Sequence, residues 1–363
     1  MTTNRRELAQ LIAAGRIRMR SGDILERDPS PLPADFDFAK ISGMMLGLAI
    51  GDALGNTSEA MLPARRTAQG EIRDYRKHPR FGDCRGYPSD DSQLAFWTLE
   101  QLMADGSFVP ENVIDAFLPR EIFGIGGTVK KALAHRRGGG DWRKCGLQSA
   151  GNGALMRIAP ILIPHLRRPS SDLWADAALC GMLTHNDSAS IASCVAFVHL
   201  LWELLRMDAP PEPEWWLPTF VSVLRQLETS DEYEPHSPAL APFRGTLSEL
   251  LDQELPAAFN RSMTVRDACD RWYSGASIPE TVPSVLYILM KHASEPEEAV
   301  VRAVNDTWDN DTAAAIVGAA VGALHGAARL PARWRDGLSG RTGIDDDGRI
   351  PALLADAERV FGP

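Results

Sequence analysis

Glycine recurs at every fourth position in two otherwise apolar runs, at Gly43, Gly47, Gly51 and Gly55 and again at Gly318, Gly322 and Gly326. Inside a helix each glycine costs roughly 1 kcal/mol against alanine, so the repetition needs a reason. A spacing of four places the glycines on one face, where missing side chains let a second helix approach closely. Both runs are therefore expected as helices packed tightly in a core.

The helical period dominates from Ile41 onward, with no sustained alternation of apolar and polar residues to compete with it. Helices are expected over 41–55, 89–105, 187–205, 283–293, 295–306 and 311–330. No shift of composition divides this body, so the expected fold is all-α, a compact single-domain helical bundle spanning 38–363. Residues 1–37 read as an N-terminal basic arm and Pro-rich linker. The arm is a helix to about Arg20 with Leu8, Leu11 and Ile12 on one stripe, and Pro29, Pro31 and Pro33 break the chain after it. The proline-crowded stretch 207–244 is expected as a surface excursion containing one helix.

Lys and Arg number 38 against 48 Asp and Glu, a formal charge of −10 that disfavours nucleic acid and anionic membranes as partners. The five cysteines are widely spaced and form no CxxC pair, which argues for a reducing compartment and against a thiolate zinc site. The Arg-rich N-terminus lacks a secretory apolar segment, and no stretch reaches the ~20 apolar residues of a membrane span. A cytoplasmic protein is expected.

Three acidic groups stand beside the glycine-spaced runs. "GDALGNTSEA" carries Asp52 and Glu59; "PSDDSQ" carries Ser89, Asp90, Asp91 and Ser92; "DNDT" carries Asp309, Asp311 and Thr312 at the mouth of the second run. Helix capping accounts for one such residue per helix, worth ~0.3–1 kcal/mol, but not for several carboxylates side by side. Crowded carboxylates repel, and a cation between them removes the cost. Carboxylate and hydroxyl oxygens suit hard ions such as Mg²⁺ or Mn²⁺, and two helix mouths brought together would supply enough oxygens for two of them.

The eight histidines form no HExxH or other close pair, so a zinc hydrolase is poorly supported. His185, in "LTHND" just ahead of a helix start, is the one worth following. Two glycine-rich loops, "FGIGGTVKKAL" and "SAGNGALMRIAP", read as turns opening helices, where free amides and the helix dipole attract phosphate. Neither is a Walker or dinucleotide fingerprint.

"GMMLGLAIGDALGNTSEA", "SDDSQLAFWTLEQL", "GNGALMRIAP", "THNDSASIA", "ETVPSVLYIL" and "VNDTWDNDTAAAIVGAAVGALHG" together resemble, in order, the ADP-ribosylglycohydrolase family, which includes dinitrogenase-reductase-activating glycohydrolases and ADP-ribosyl-acceptor hydrolases. The resemblance implies an all-α fold around two divalent cations and cleavage of the glycosidic bond between ADP-ribose and an acceptor. It implies that Ser89, Asp90, Asp91 and Asp311 hold one metal and that Glu59, Asp309, Asp311 and Thr312 hold the other, with Asp311 bridging. It further implies that Gly126 and Gly127 meet the diphosphate and that Ser149, Gly151, Asn152, Gly153 and His185 line the ADP-ribose cleft. Glu59, Asp90 and Asp309 are expected as the catalytic carboxylates, with Glu59 a movable residue that positions water or the leaving group. The partner is an ADP-ribosylated substrate, and nucleic acid enters only if it carries that modification. Two alternatives stay open: a hydrolase of a small nucleoside-like N-glycoside or ADP-ribose ester, and a non-catalytic ADP-ribose binder. Where the family often has two glycines before DxDT this chain has Thr307 and Trp308, so Trp308 is expected to narrow the cleft or meet the leaving group.

Overall fold

The chain folds, in a computed structural model that describes residues 2–59 and 61–363, into helices joined by turns, with no strand among those residues. Its sixteen described α-helices are α1 (Thr3–Ala13), α2 (Ala39–Gly55), α3 (Pro63–Ala68), α4 (Asp90–Asp105), α5 (Pro110–Phe117), α6 (Gly127–Arg137), α7 (Asp172–Met182), α8 (Ser188–Leu205), α9 (Pro213–Leu227), α10 (Leu247–Asn260), α11 (Val265–Trp272), α12 (Ile278–His292), α13 (Pro296–Asp306), α14 (Asn310–His325), α15 (Ala332–Gly337) and α16 (Arg349–Phe361).

The two glycine-spaced runs are α2 and α14, and they pack antiparallel against each other at the centre. A Cβ on Gly47 would lie 2.0 Å from the carbonyl oxygen of Gly318, and one on Gly322 would lie 2.0 Å from that of Gly43. Gly51 meets the Ala314 carbonyl at the same 2.0 Å, and Gly55 would place a Cβ 2.4 Å from the Asp311 Cα. No methyl group fits anywhere along this seam, so glycine here is a packing requirement. Gly326 departs from the series: it adopts φ +76°, where a side chain is strained, and ends α14 at His325 rather than near Leu330. Because the pair is antiparallel, the C-terminal end of α2 and the N-terminal end of α14 arrive at one place.

α8, α12 and α13 enclose α14, and α7 and α9 cover α8. α14 is buried from Asn310 to Leu324, which explains why it is apolar all round and not on one stripe. α8 is long and apolar enough by composition to cross a membrane, but 89% of it is buried inside the protein, the place of a core helix.

Three expectations change. α12 begins at Ile278, five residues before Pro283, because a proline in the second turn forgoes only one ladder bond. α9, inside the proline-crowded stretch, buries Trp216, Phe220, Val221, Val223, Leu224 and Leu227 and so belongs to the core rather than to a surface excursion. The N-terminal helix stops at Ala13, where Gly15 turns the chain with φ +62°, and its Leu8 and Leu11 are buried against the main body. The start expected at Met1 lies outside the described residues.

Candidate metal centre and ligand cleft

α4 opens beside the end of α2, and the residue that caps it comes from α2. Asp52 accepts hydrogen bonds from the Ser89 amide at 2.9 Å, the Ser89 hydroxyl at 2.7 Å and the Ser92 amide at 3.1 Å. The Ser92 hydroxyl and the Asn56 amide complete its shell. With the exposed amides of α4 served from outside, Ser89 makes no cap bond of its own and Asp90 and Asp91 are not consumed as caps. Asp91 Oδ1 is buried with no hydrogen-bond partner.

α14 opens in the same way. Asp309 holds the cap position without a side-chain cap bond, and its Oδ2 instead accepts from Asn152 Nδ2 at 2.5 Å. Asn310 is fully buried and donates to the carbonyls of Gly55 and Val304 and to the Ser58 hydroxyl, tying the α14 mouth to the α2 end. Arg66, also fully buried, donates to the carbonyls of Ser58, Val304, Thr307 and Trp308 and so fixes the turn that carries Asp309. Burial pulls its guanidinium down to about 10, which leaves it charged at neutral pH and facing Asp309 and Asp311.

Two carboxylate triads result. Asp52, Asp91 and Asp311 offer oxygens within 4.8 Å of one another, as do Glu59, Asp309 and Asp311. Asp311 is common to both. Asp52 has its oxygens filled by serine and asparagine donors, so it anchors the first triad, while Asp91 and Asp311 keep oxygens to offer. The Thr312 hydroxyl reaches Asp91 Oδ2 at 3.5 Å. Burial first, and the neighbouring carboxylates second, push Asp90, Asp91 and Asp311 well above the usual carboxylate range. Burial likewise raises Glu59, Asp309 and Asp52. One arginine does not balance such a group. A bare buried oxygen on Asp91, a shared Asp311 and an all-oxygen donor set fit hard divalent cations.

Above the acids lies a cleft of about 210 Å³. Its lining includes Glu59, Asp90, Asp91, Asp309, Asp311 and Thr312 from the acidic side. Gly126, Gly127, Gly151, Asn152, Gly153 and His185 face them. Gly126 caps α6 with φ −65°, and a Cβ on Gly126 or Gly127 would meet nothing within 4 Å. Neither packing nor conformation demands glycine there, so the bare backbone is left for whatever enters the cleft. The loop carrying Gly151 and Asn152 is stitched on both sides: Leu147 exchanges hydrogen bonds with Thr184 and Asn186, and Asn152 and Ala150 pair with Ala276 and Ile278. Asn152 also donates to Thr281 at 2.9 Å. A wider groove of about 970 Å³ lies elsewhere, beneath α1 between Asn4, Phe108, Trp142 and His165, and holds none of these acids.

An ADP-ribosylglycohydrolase profile matches residues 33–361, nearly the whole chain. The chain belongs to the ADP-ribosylglycohydrolase family. An uncharacterized protein of Archaeoglobus fulgidus is 29% identical over 85% of this chain and 94% of its own length. The ADP-ribosylarginine hydrolase Tri1 of Pseudomonas putida is 25% identical over 81% of this chain and 73% of its own. A solved structure described as an ADP-ribosylglycohydrolase-related protein complex superposes with a TM-score of 0.68 and 26% identity, covering 89% of this chain and 98% of that one. The all-α single-domain fold read from the sequence is that of this family of hydrolases, and the family profile starts at residue 33, inside the expected linker.

Within this ADP-ribosylglycohydrolase-type site, the sequence-expected residues have further partners. The Ser89 hydroxyl donates to Asp52, and Asp90 Oδ2 accepts from the Gly126 amide at 3.3 Å, linking the acids to the glycine turn. Ser149 lies one step behind the cleft wall, with its hydroxyl 3.0 Å from that of Thr128. "SAGNGALMRIAP" opens two 3₁₀ turns, Leu155–Arg157 and Ala159–His165, rather than an α-helix. Trp308 does not line the 210 Å³ cleft; its ring packs on that of Tyr273 with centroids 5.0 Å apart. Tyr273 and Ser274 both have positive φ, 78° and 47°, and are held there by the Trp308 and Asp309 amides bonding to Ser274. Sequence reasoning gave no role to Arg66, Asn310 or Thr281 and none to Asp52 beyond its place in an acidic group. The one signal for Asp52 was that no other charged side chain occurs between Lys40 and Glu59.

Proposed function

We propose that this chain hydrolyses the glycosidic bond linking ADP-ribose to an acceptor, using two divalent cations, Mg²⁺ or Mn²⁺, held by Asp91, Asp311, Asp309, Glu59, Thr312 and Asp90. The observation that carries the reading is the pair of carboxylate triads sharing Asp311 on the floor of a cleft walled by glycine turns. Bound there, the cations would orient ribose hydroxyls and lower the pKa of a coordinated water.

The protein's own groups do the rest. The start of α6 presents unencumbered amides at Gly127 and beyond to an anionic diphosphate, aided by the helix dipole. Asn152 fixes the Asp309 carboxylate, so a negative charge stands ready for the positive charge that develops at the anomeric carbon. Glu59 is the one exposed acid of the set, on the turn after α2, where it can reach water or the leaving group. The wide spacing of the five cysteines, with no CxxC pair, is the basis for proposing a reducing, cytoplasmic setting. The acceptor class is best sought among arginine and serine side chains. Tri1's name assigns it ADP-ribosylarginine, and the aromatic Trp308, paired with Tyr273, stands on the turn just before the cleft-lining Asp309.

The test is release of free ADP-ribose, followed by mass spectrometry, from ADP-ribosylated arginine and serine peptides and from an ADP-ribosylated oligonucleotide. Each is incubated with Mg²⁺ or Mn²⁺ and with a chelator. Release from at least one substrate, abolished by the chelator, is expected; no release from any with either metal would overturn the proposal.

A further inference from the structure

Arg157 is fully buried, and among the described residues no carboxylate pairs with it. Its guanidinium donates to the Cys180 carbonyl at 3.2 Å and to the Thr184 hydroxyl at 2.9 Å, its Nε has no partner, and it lies over the Phe117 ring. Burying an uncompensated cation is costly, so its persistence needs a purpose. The Thr184 hydroxyl, also fully buried, has two partners: Arg157 Nη2 and, at 2.9 Å, His185 Nδ1.

These contacts decide where the histidine carries its proton. Arg157 can only donate, so it fills one lone pair of the Thr184 oxygen. If Nδ1–H filled the other, the threonine proton would be left buried without an acceptor, at a cost of about 1–3 kcal/mol. The satisfied arrangement is Arg157 to Thr184 to Nδ1, which puts the ring proton on Nε2. Among the described residues Nε2 makes no hydrogen bond, and it faces the cleft wall, where a Cβ on Gly151 would come within 3.1 Å of it. Glycine at that position keeps the nitrogen uncovered.

We infer that Arg157 and Thr184 are positioning residues that lock the His185 ring in its neutral, Nε2-protonated tautomer, so that the cleft offers a hydrogen-bond donor selecting an acceptor oxygen of a phosphate or ribose. Burial first and the Arg157 charge second hold His185 down at about 3, so the ring stays uncharged at physiological pH. A second charge beside the anion would raise affinity without discrimination, whereas a fixed neutral donor rewards an oxygen at one place. The ligand half of this inference rests on the ADP-ribose reading of the cleft; the tautomer half does not.

The experiment is ¹⁵N-histidine NMR on the intact, ligand-free protein at pH 7, with the His185 signals assigned by their loss in His185→Asn. Wild type and Thr184→Ser should both show a neutral ring protonated at Nε2. Thr184→Val should lose that pattern and bind ADP-ribose about tenfold weaker, the size of one hydrogen bond. Equal weakening for ADP would assign the oxygen to a phosphate, and weakening for ADP-ribose alone to the distal ribose. A ring protonated at Nδ1 or charged in wild type, or an unchanged ring in a folded Thr184→Val, would overturn the inference. The expected tautomer in a protein that binds no ADP-ribose would leave the relay standing and remove the proposed function instead.

Discussion

The two ends of the α2–α14 pair are built from the same close approach and have opposite fates. At the Gly43–Gly322 end, backbone meets backbone, the nearby Lys40 and His325 are spent on backbone carbonyls, and the helix ends on the positive φ of Gly326. At the Gly55–Asp311 end, the same contact distance delivers Asp52, Asp311 and the α4 mouth into one volume. Close packing is thus a neutral device, and what it brings together decides whether it yields core or chemistry. The acidic end also shows a division of labour between carboxylates. Asp52 spends its oxygens on serines and holds the site's shape, whereas Asp91 keeps an oxygen bare.

The largest effect should come from breaking the shared seam. Gly47→Val puts a branched side chain where even a Cβ would lie 2.0 Å from the Gly318 carbonyl, so loss of more than about 3 kcal/mol or failure to fold is expected by urea titration. A folded variant of near wild-type stability would show that the helices can separate cheaply. Next comes Asp311→Asn, which touches only the acidic end. It should abolish ADP-ribose release, and in metal-free buffer it should raise the melting temperature by relieving repulsion. Asp52→Asn separates shape from charge: weaker capping of α4 should cost about 1–2 kcal/mol and lower activity in part, because Asp91 and Asp311 remain.

A smaller effect concerns pH. Asp90, Asp91 and Asp311 have raised affinity for protons when folded and the ordinary carboxylate value when unfolded, so between those values the folded state binds more protons. Their contribution to metal-free stability therefore falls as pH rises through that window, the reverse of acid denaturation. His185 works oppositely below its unfolded value of about 6.5, since it stays neutral when folded. Comparing melting temperatures of wild type and Asp311→Asn across pH 5 to 8 cancels the histidine and should leave a shallower fall in the variant. Smallest is Trp308→Gly, which should leave the fold intact and change the ranking of acceptors in the hydrolysis panel by a few-fold, through loss of the Tyr273–Trp308 packing beside Asp309.

Much of the seam was legible because glycine at period four has few other uses in an apolar helix. The carboxylates at its mouth were legible as a group, but their roles were not. Asp52 reads as a stray acid inside a helix, and only the arrival of α4 turns it into a cap. Arg66 sits in "PARRTA", where two adjacent arginines look solvent-exposed; the turn from 304 to 308 makes one of them a buried clamp. Arg157 was hidden in the same way, inside a segment noticed for its glycines. Pairings between distant segments carry no local period, which is why periodicity found the helices and missed the residues that hold the site in shape. The α1 stripe of Leu8 and Leu11 was visible but not the surface it docks on, and in α9 the surrounding prolines masked the apolar stripe that decides burial.

The central claim is that the α2–α14 seam gathers carboxylates that need a cation, with Asp311 shared. It is tested most directly by the melting temperature at pH 7 as Mn²⁺ or Mg²⁺ is titrated into metal-free protein, wild type beside Asp311→Asn. The expected result is that wild type gains several degrees, about 2.7 kcal/mol at 100 times Kd, while the variant starts higher and gains little. A wild type that does not respond to either metal, or a variant that responds equally, would contradict it.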